Sequence, residues 1–173
     1  NTAGGTQNIA IGNYALDAHT SGDGNTAVGY DAMTANTTGS NNTAIGHGAL
    51  IATTTGNDNT ALGVSTLTAN TTGDNNTAIG RVTLNANTTG DYNTAVGRDA
   101  MLGNTTGSRN TAIGYTALSA NTTASYSVAI GDSALKLNTT GVRNIAIGKA
   151  ALTASDTEND NLAIGYNAMT TDT

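Results

Sequence analysis

A glycine recurs every 17 residues along the chain, without a single insertion or deletion. Such a constant spacing means that each period is one structural unit. We number the places of the unit from 1 to 17, with this glycine at place 5, and the same place in successive units forms a column. Ten units begin at residues 8, 25, 42, 59, 76, 93, 110, 127, 144 and 161. Residues 1–7 are a partial repeat, and residues 1–173 are predicted to form a single repeat domain.

The length of the unit selects the fold class. Seventeen residues are too few for a helical hairpin repeat of about 34 residues, and the unit lacks the leucine spacing of leucine-rich repeats. One coil of a solenoid fits this length. We therefore predict an all-β fold, a parallel β-solenoid (β-roll) of ten 17-residue coils. At about 4.7 to 4.8 Å per coil, the rod would be roughly 47 Å long.

The composition excludes other kinds of core and several functions. The chain has no Phe, Trp, Pro or Cys, so it has neither a conventional aromatic core nor disulfides or thiolate metal sites. Twelve acidic residues against six basic ones argue against nucleic acid as a partner. No run approaches the roughly 20 apolar residues of a membrane-spanning helix, so membrane insertion is not expected.

The first five places of each unit predict a short strand. Place 4 is always Ile, Val or Leu and place 2 is mostly Thr, so the two-residue period of a strand suggests that both point inward. Place 3 is always Ala and should then point outward, where a small side chain allows another chain to approach. We therefore predict that this Ala column is a self-association face. Its members are Ala10, Ala27, Ala44, Ala61, Ala78, Ala95, Ala112, Ala129, Ala146 and Ala163.

The rest of the unit supplies a second core column and a turn. Place 9 is always Leu or Met and is predicted to be buried. Places 6 to 11 fit either a short second strand or one helical turn, since Ala and Leu favour helix. The N-T-T-G segment at places 12 to 15, as at 36–39, predicts a turn in which Gly supplies a positive φ. In register, its Asn and Thr columns should form hydrogen-bonded ladders along the axis.

The units N-T-A-V-G-Y-D-A-M, N-T-A-I-G-H-G-A-L and S-V-A-I-G-D-S-A-L begin at residues 25, 42 and 127. They resemble repeats in phage tail-fibre proteins and bacterial tail-fibre-like surface proteins, and they are similar to the head repeats of trimeric autotransporter adhesins. The resemblance implies a parallel β-roll, trimeric in the adhesins, that acts outside the cell as a stiff spacer or host-contact element.

Few residues suggest chemistry. The two histidines, His19 and His47, lie in different columns and form no catalytic or metal-binding pattern, so an enzyme is not expected. Asp156, Glu158 and Asp160 alternate where the turn sequence breaks down, and they are the only candidate Ca²⁺ ligands. A solvated acidic turn is the favoured interpretation of the same residues. No other cofactor is expected.

Places 6 and 17 vary from unit to unit and are predicted to be exposed. They hold tyrosines and basic residues, which suggests contact with a cell-surface glycan or receptor, although ordinary surface variation is favoured. The N-T-T triplets, together with Asn41 and Asn75, match the N-glycosylation pattern, but the turn repeat explains the triplets.

Two functions follow from this pattern. The favoured one is a structural shaft or spacer of an extracellular fibre, such as a tail fibre, adhesin stalk or filament, at a virion or cell surface. Its partner is another copy, in a homotrimer or an axial filament. Since the first and last units match the consensus, we expect either a longer native chain or end-to-end stacking. The alternative is an ice-binding solenoid that uses the Thr columns at places 13 and 14.

Overall fold

A computed structural model describes residues 4–170, so the first and last three residues of the predicted domain lie outside the described residues. It confirms the all-β fold class, because ten short parallel strands stack as the coils of a β-solenoid. The strands are β1 (Ile9–Ile11), β2 (Thr26–Val28), β3 (Thr43–Ile45), β4 (Thr60–Leu62), β5 (Thr77–Ile79), β6 (Thr94–Val96), β7 (Thr111–Ile113), β8 (Val128–Ile130), β9 (Ile145–Ile147) and β10 (Leu162–Ile164).

The strands form one sheet in sequence order, and each place pairs with the same place in the next coil. Thr43 is opposite Thr60, for example, and Ala44 is opposite Ala61. The pairing continues beyond the strands, since the amide of Thr37 donates to the carbonyl of Thr54 at 3.0 Å. Both the strand and the N-T-T-G turn are therefore tied by backbone hydrogen bonds to the neighbouring coil.

The predicted orientation of the strand is wrong. The Ala column lies inside, with exposed fractions of 0 to 2% from Ala27 to Ala163, so it cannot be a self-association face. Only Ala10, in the first coil, is exposed. Places 2 and 4 point outward instead, and Ile113 at place 4 is 39% exposed. The physical reason is the narrowness of the coil, because the Leu or Met of place 9 fills the interior and leaves room for only a methyl group.

The core consists of the inward side chains at places 3, 8 and 9. Leu50, Leu67 and Leu84 at place 9 are fully buried, as predicted. Each adopts a left-handed backbone conformation, with φ of 49° to 52°, which is uncommon for a residue other than glycine. The same conformation recurs at place 9 of every coil, from Leu16 to Met169.

Places 6 to 11 form neither a second strand nor a helical turn. They contain two successive hydrogen-bonded turns, in which the amide of Ala49 donates to the carbonyl of Gly46 at 3.4 Å and that of Thr53 donates to Leu50 at 3.2 Å. The described part of the chain contains no helix. Accordingly, no helical segment between residues 4 and 170 has the length and apolarity to cross a membrane.

The glycine of the N-T-T-G turn is needed for space, which corrects the prediction that it supplies a positive φ. Gly56 and Gly73 are absent from the positive-φ positions. A Cβ atom on Gly56 would lie 2.6 Å from the carbonyl oxygen of Gly73 in the next coil. Positive φ occurs instead at places 5, 7, 9 and 17, as at Gly63, where φ is 137°.

Candidate interaction surfaces

Two columns of buried asparagine stabilise the coils from within. At place 1, the side-chain amide nitrogen of Asn59 donates to Oδ1 of Asn42 at 3.1 Å and to the carbonyl of Gly73 at 2.8 Å. At place 12, Nδ2 of Asn104 donates to Oδ1 of Asn87 at 2.8 Å. These bonds confirm the predicted asparagine ladder. Because each amide both donates to and accepts from adjacent coils, the ladder fixes the axial register of the stack.

The place 12 column is interrupted at three coils, one of them by Ser155. Thr53 replaces Asn in another, and its hydroxyl is buried without a hydrogen-bond partner. His19 replaces Asn in the first coil, where its ring nitrogens lie 3.2 Å from Nδ2 of Asn8 and 3.4 Å from Nδ2 of Asn36. His19 is thus part of an internal ladder, while His47 is exposed at place 6, so the two histidines do not share a site.

The outward side chains of places 2 and 4 form what we call the strand face. From β2 to β7, place 2 is Thr and is half-buried. Place 4 is apolar in every coil, and its exposed fraction is 37% at Ile79 and 44% at Leu62. The strand face is therefore an apolar column beside a column of threonine, and no other part of residues 4–170 covers it.

Sequence reasoning missed the strand face, although the repeats contain a signal for it. Places 1, 3 and 5 are nearly invariant as Asn, Ala and Gly, whereas places 2 and 4 vary among Thr, Ile, Val and Leu. Odd and even places point to opposite sides of a strand. The invariant set faces the tight interior, where a Cβ on Gly46 would lie 2.3 Å from the carbonyl of Gly63.

Two columns of exposed side chains border the strand face. Place 17 lies two residues before place 2, and place 6 lies two residues after place 4. In the place 17 column, the guanidinium of Arg109 lies over the rings of Tyr92 and Tyr126, at 5.3 and 5.6 Å from their centroids. In the place 6 column, Tyr30 stacks on His47 with centroids 5.3 Å apart. The variable places are therefore exposed, as predicted, and neighbouring members contact each other.

The candidate Ca²⁺ ligands do not converge, and residues 156–160 are an exposed acidic turn, the interpretation that the sequence favours. Glu158 turns back into its own loop and accepts hydrogen bonds from Ser155 and from the amides of residues 156 and 157. Its own amide, followed by these donors, lowers the pKa of its carboxyl group. Asp160 pairs with Arg143 at 2.6 Å, and this partner lowers the pKa of Asp160. Asp156 accepts a hydrogen bond from Thr139. Among residues 4–170, no three His, Asp or Glu side chains gather where they could hold a metal ion.

The threonines of places 13 and 14 differ in what their hydroxyls do. At place 13, the hydroxyl of Thr37 donates to the carbonyl of Thr54 at 3.0 Å, and the same bond recurs from coil to coil. At place 14, Thr38 and Thr55 are exposed. At this turn, only the place 14 column of threonines is free of this repeated hydrogen bond. The six place 2 threonines of the strand face are a second outward-facing column.

No protein-family model matches the chain, and neither the curated proteins nor the solved structures contain a match.

Proposed function

We propose that this chain is a structural shaft or spacer in an extracellular fibre, such as a tail fibre, adhesin stalk or filament, and that it is not an enzyme. The observation that carries the proposal is the continuity of the stack. One ten-stranded sheet and the internal asparagine columns connect nearly every coil to its neighbours along a rod of roughly 47 Å. Such a stack resists bending and stretching, which is what a spacer requires.

The strand face supplies the contact between copies. Its projected area is on the order of 300 Å², since places 2 and 4 are about 6.6 Å apart and the column runs the length of the rod. The largest apolar patch on a typical monomer has about this size and is often functional. Parallel copies that turn their strand faces toward a common axis would bury the place 4 column completely. We propose three copies, with Ile79, Ile113 and Ile130 at the centre of the contact.

The surface outside this contact is left for recognition. The place 14 threonines and the stacked Tyr and Arg side chains of places 6 and 17 provide exposed donors and rings for a cell-surface glycan or receptor. Tyr and Arg are enriched at the centres of binding sites, because they combine a large contact area with directional hydrogen bonds. A fibre located outside the cell or on a virion has access to such a partner.

Electron microscopy of the native material, beside a mass determination of the purified chain, tests the shaft proposal. Uniform fibres from a polypeptide far above 17.1 kDa would identify the chain as part of a larger fibre protein. Fibres formed by the 17.1 kDa chain itself would identify an axial filament. Discrete single rods with no lateral or axial association would contradict the proposal.

Ice binding is the second candidate, and one observation favours it. Six consecutive threonines of place 2, from Thr26 to Thr111, point outward in register on parallel strands, beside an apolar column. Water ordered by such a regular face can match a crystal lattice. A freezing-hysteresis assay distinguishes the candidates when the isolated chain is compared with Thr77→Lys on the strand face and Thr89→Lys at place 14. Hysteresis that only Thr77→Lys removes would favour ice binding, whereas the shaft proposal predicts none in any of the three.

A further inference from the structure

We propose that Tyr92, Arg109 and Tyr126 form a binding site for a glycan in which a carboxylated sugar lies between neutral sugars. The carboxylate accepts hydrogen bonds from the guanidinium of Arg109, and the adjoining sugars lie against the two tyrosines. This inference rests on the proposed recognition of a cell-surface glycan. It adds which three residues carry that recognition and the chemical class of the ligand.

The backbone of the solenoid sets the spacing of the three side chains. They occupy place 17 of consecutive coils, and each amide is bonded to the preceding coil, as that of Arg109 is to the carbonyl of Asp91 at 2.9 Å. Successive coils are about 4.8 Å apart, so the two tyrosines are about 9.6 Å apart with Arg109 between them. A ligand therefore meets side chains whose order and separation are fixed before it binds.

The guanidinium of Arg109 is held in place while most of its donors stay free. It lies over the rings of Tyr92 and Tyr126, at 5.3 and 5.6 Å from their centroids, and its Nη1 donates to the Tyr126 hydroxyl at 2.8 Å. Contacts with ring faces leave the in-plane N–H groups of a guanidinium available, and Arg109 uses one of its five. Because the side chain is already ordered, an anion binds with little further loss of conformational entropy.

Arg109 is the arginine of the place 17 column that has no carboxylate partner within residues 4–170. The other arginine of the column, Arg143, pairs with Asp160 at 2.6 Å. Asp91 lies one coil below in the adjacent column, and its carboxylate accepts the amide of Asp74 at 2.8 Å. The charge of Arg109 is thus left for a ligand.

The surroundings of this charge select a ligand with isolated carboxylates. Along place 17, Asn75 precedes Tyr92, and the Arg143 beyond Tyr126 is neutralised by Asp160, so one positive charge stands between neutral groups. A carboxylate is planar and matches the guanidinium fork with two parallel hydrogen bonds. The net charge of the chain is −6, which repels a densely charged polyanion.

The tyrosines favour a glycan over an acidic peptide. Both rings are 55% exposed. Within residues 4–170 the Tyr92 hydroxyl has no hydrogen-bond partner, and the Tyr126 hydroxyl accepts from Arg109 and keeps its own proton to donate. Hydroxyls that donate and accept suit the hydroxyls of sugars on either side of a carboxylate. The step of about 4.8 Å is close to the length of one linked sugar ring, whereas same-side side chains of an extended peptide recur about every 6.6 Å.

Titration of the full chain with a defined oligosaccharide tests the site. The probe is a hexasaccharide in which glucuronic acid alternates with N-acetylglucosamine, and binding is followed by NMR shifts of the chain. Arg109→Gln should weaken binding by about fivefold or more, because a bidentate pair is stronger than a typical exposed one. Arg109→Lys keeps the charge without the fork and should also weaken it. Arg143→Gln and Arg81→Gln remove the same charge from exposed arginines outside the site and should bind like the parent.

The ligand controls test the carboxylate. The same hexasaccharide with its carboxyl groups converted to amides should bind about fivefold more weakly or not at all, and a sulfated oligosaccharide of equal length should not bind more tightly. No saturable binding by the parent would overturn the inference. Equal losses in all three Arg→Gln variants, equal affinity for the amide form, or tighter binding of the sulfated chain or of a peptide of alternating Glu and Ser would overturn it as well.

Light scattering of the same samples separates this inference from the proposed function. Associated copies that do not bind the hexasaccharide would overturn the glycan site alone. A monomer at every concentration that binds the hexasaccharide through Arg109 would overturn the association through the strand face and support the glycan site.

Discussion

Replacing Thr53 by Asn should stabilise the solenoid. Thr53 lies in the place 12 column between Asn36 and Asn70, and its buried hydroxyl has no hydrogen-bond partner. An Asn there can donate to Oδ1 of Asn36 and to the carbonyl of Gly56, and it can accept from Nδ2 of Asn70, as the other asparagines of the column do. Thr and Asn have similar volumes, so the change requires little repacking.

The size of the stabilisation follows from the three hydrogen bonds that an Asn at position 53 would make. Each added bond contributes about 0.5 to 1.5 kcal/mol net, and removing an unsatisfied buried hydroxyl contributes about 1 kcal/mol or more. Ordering a longer polar side chain offsets part of the gain. We expect a net stabilisation of about 1 to 3 kcal/mol. In urea, with an m-value of about 2 kcal/mol/M, the unfolding midpoint should rise by about 0.5 to 1.5 M.

The reciprocal substitution is the control. Nδ2 of Asn104 donates to Oδ1 of Asn87 at 2.8 Å and to the carbonyl of Gly107 at 3.0 Å, and Oδ1 of Asn104 accepts from Asn121 at 2.6 Å. Asn104→Thr should therefore lower the unfolding free energy by about 2 to 4 kcal/mol. Both variants are measured at one protein concentration, because association shifts the apparent stability. A Thr53→Asn midpoint at or below that of the parent, with Asn104→Thr unchanged, would refute the account of the ladder.

Three further predictions concern backbone, core and charge. Gly63→Ala should cost about 3 kcal/mol or more in thermal unfolding, because its φ is 137° and the new Cβ would lie 2.1 Å from a carbonyl oxygen of the next coil. Gly48→Ala, which has open space at the Cβ position, should cost only about 1 kcal/mol, and equal losses would be inconsistent with the steric argument. Ala112→Leu should destabilise the fold by about 1 to 3 kcal/mol through overpacking. An unchanged unfolding midpoint would place the Ala column of place 3 outside the core. Since Arg143 lowers the pKa of Asp160, the pair stabilises the fold above the ordinary carboxyl pKa of 3.8, and this contribution is lost as the pH falls through the lowered pKa. Urea midpoints between pH 2 and 6 should therefore fall more on acidification in the parent than in Asp160→Asn, and parallel profiles would contradict the pairing.

The sequence determined the unit length, the strand position and the parallel stacking, because each depends only on a constant period and on the location of branched residues. It also predicted the place 9 core residues and the asparagine ladder. It did not determine which side of the strand faces inward. Alternation gives two opposite assignments, and the choice depends on the width of the coil, which leaves Ala95 and Ala112 no space beyond a methyl group.

Sequence reasoning was limited in the same way at the candidate interaction surfaces. Composition identified Tyr and Arg at places 6 and 17 as exposed, since these places vary. Whether Tyr92, Arg109 and Tyr126 contact each other depends on rotamers and on the stacking distance, which only the structure provides. The acidic turn failed as a Ca²⁺ site because Glu158 satisfies its carboxylate with nearby amides, a local contact that the residue types do not specify.

Thiol labelling of native assemblies tests most directly whether the strand face is the contact between copies. Single variants Ile113→Cys on the strand face, Thr106→Cys at the exposed place 14 and Ala112→Cys in the core are treated with a maleimide. In an isolated chain, position 113 is 39% exposed and should react readily. The account predicts that in the assembly position 113 reacts more than about tenfold slower than position 106, since labelling then requires local opening. Equal rates at positions 113 and 106, with position 112 protected, would show that the strand face is open to solvent and would contradict the account.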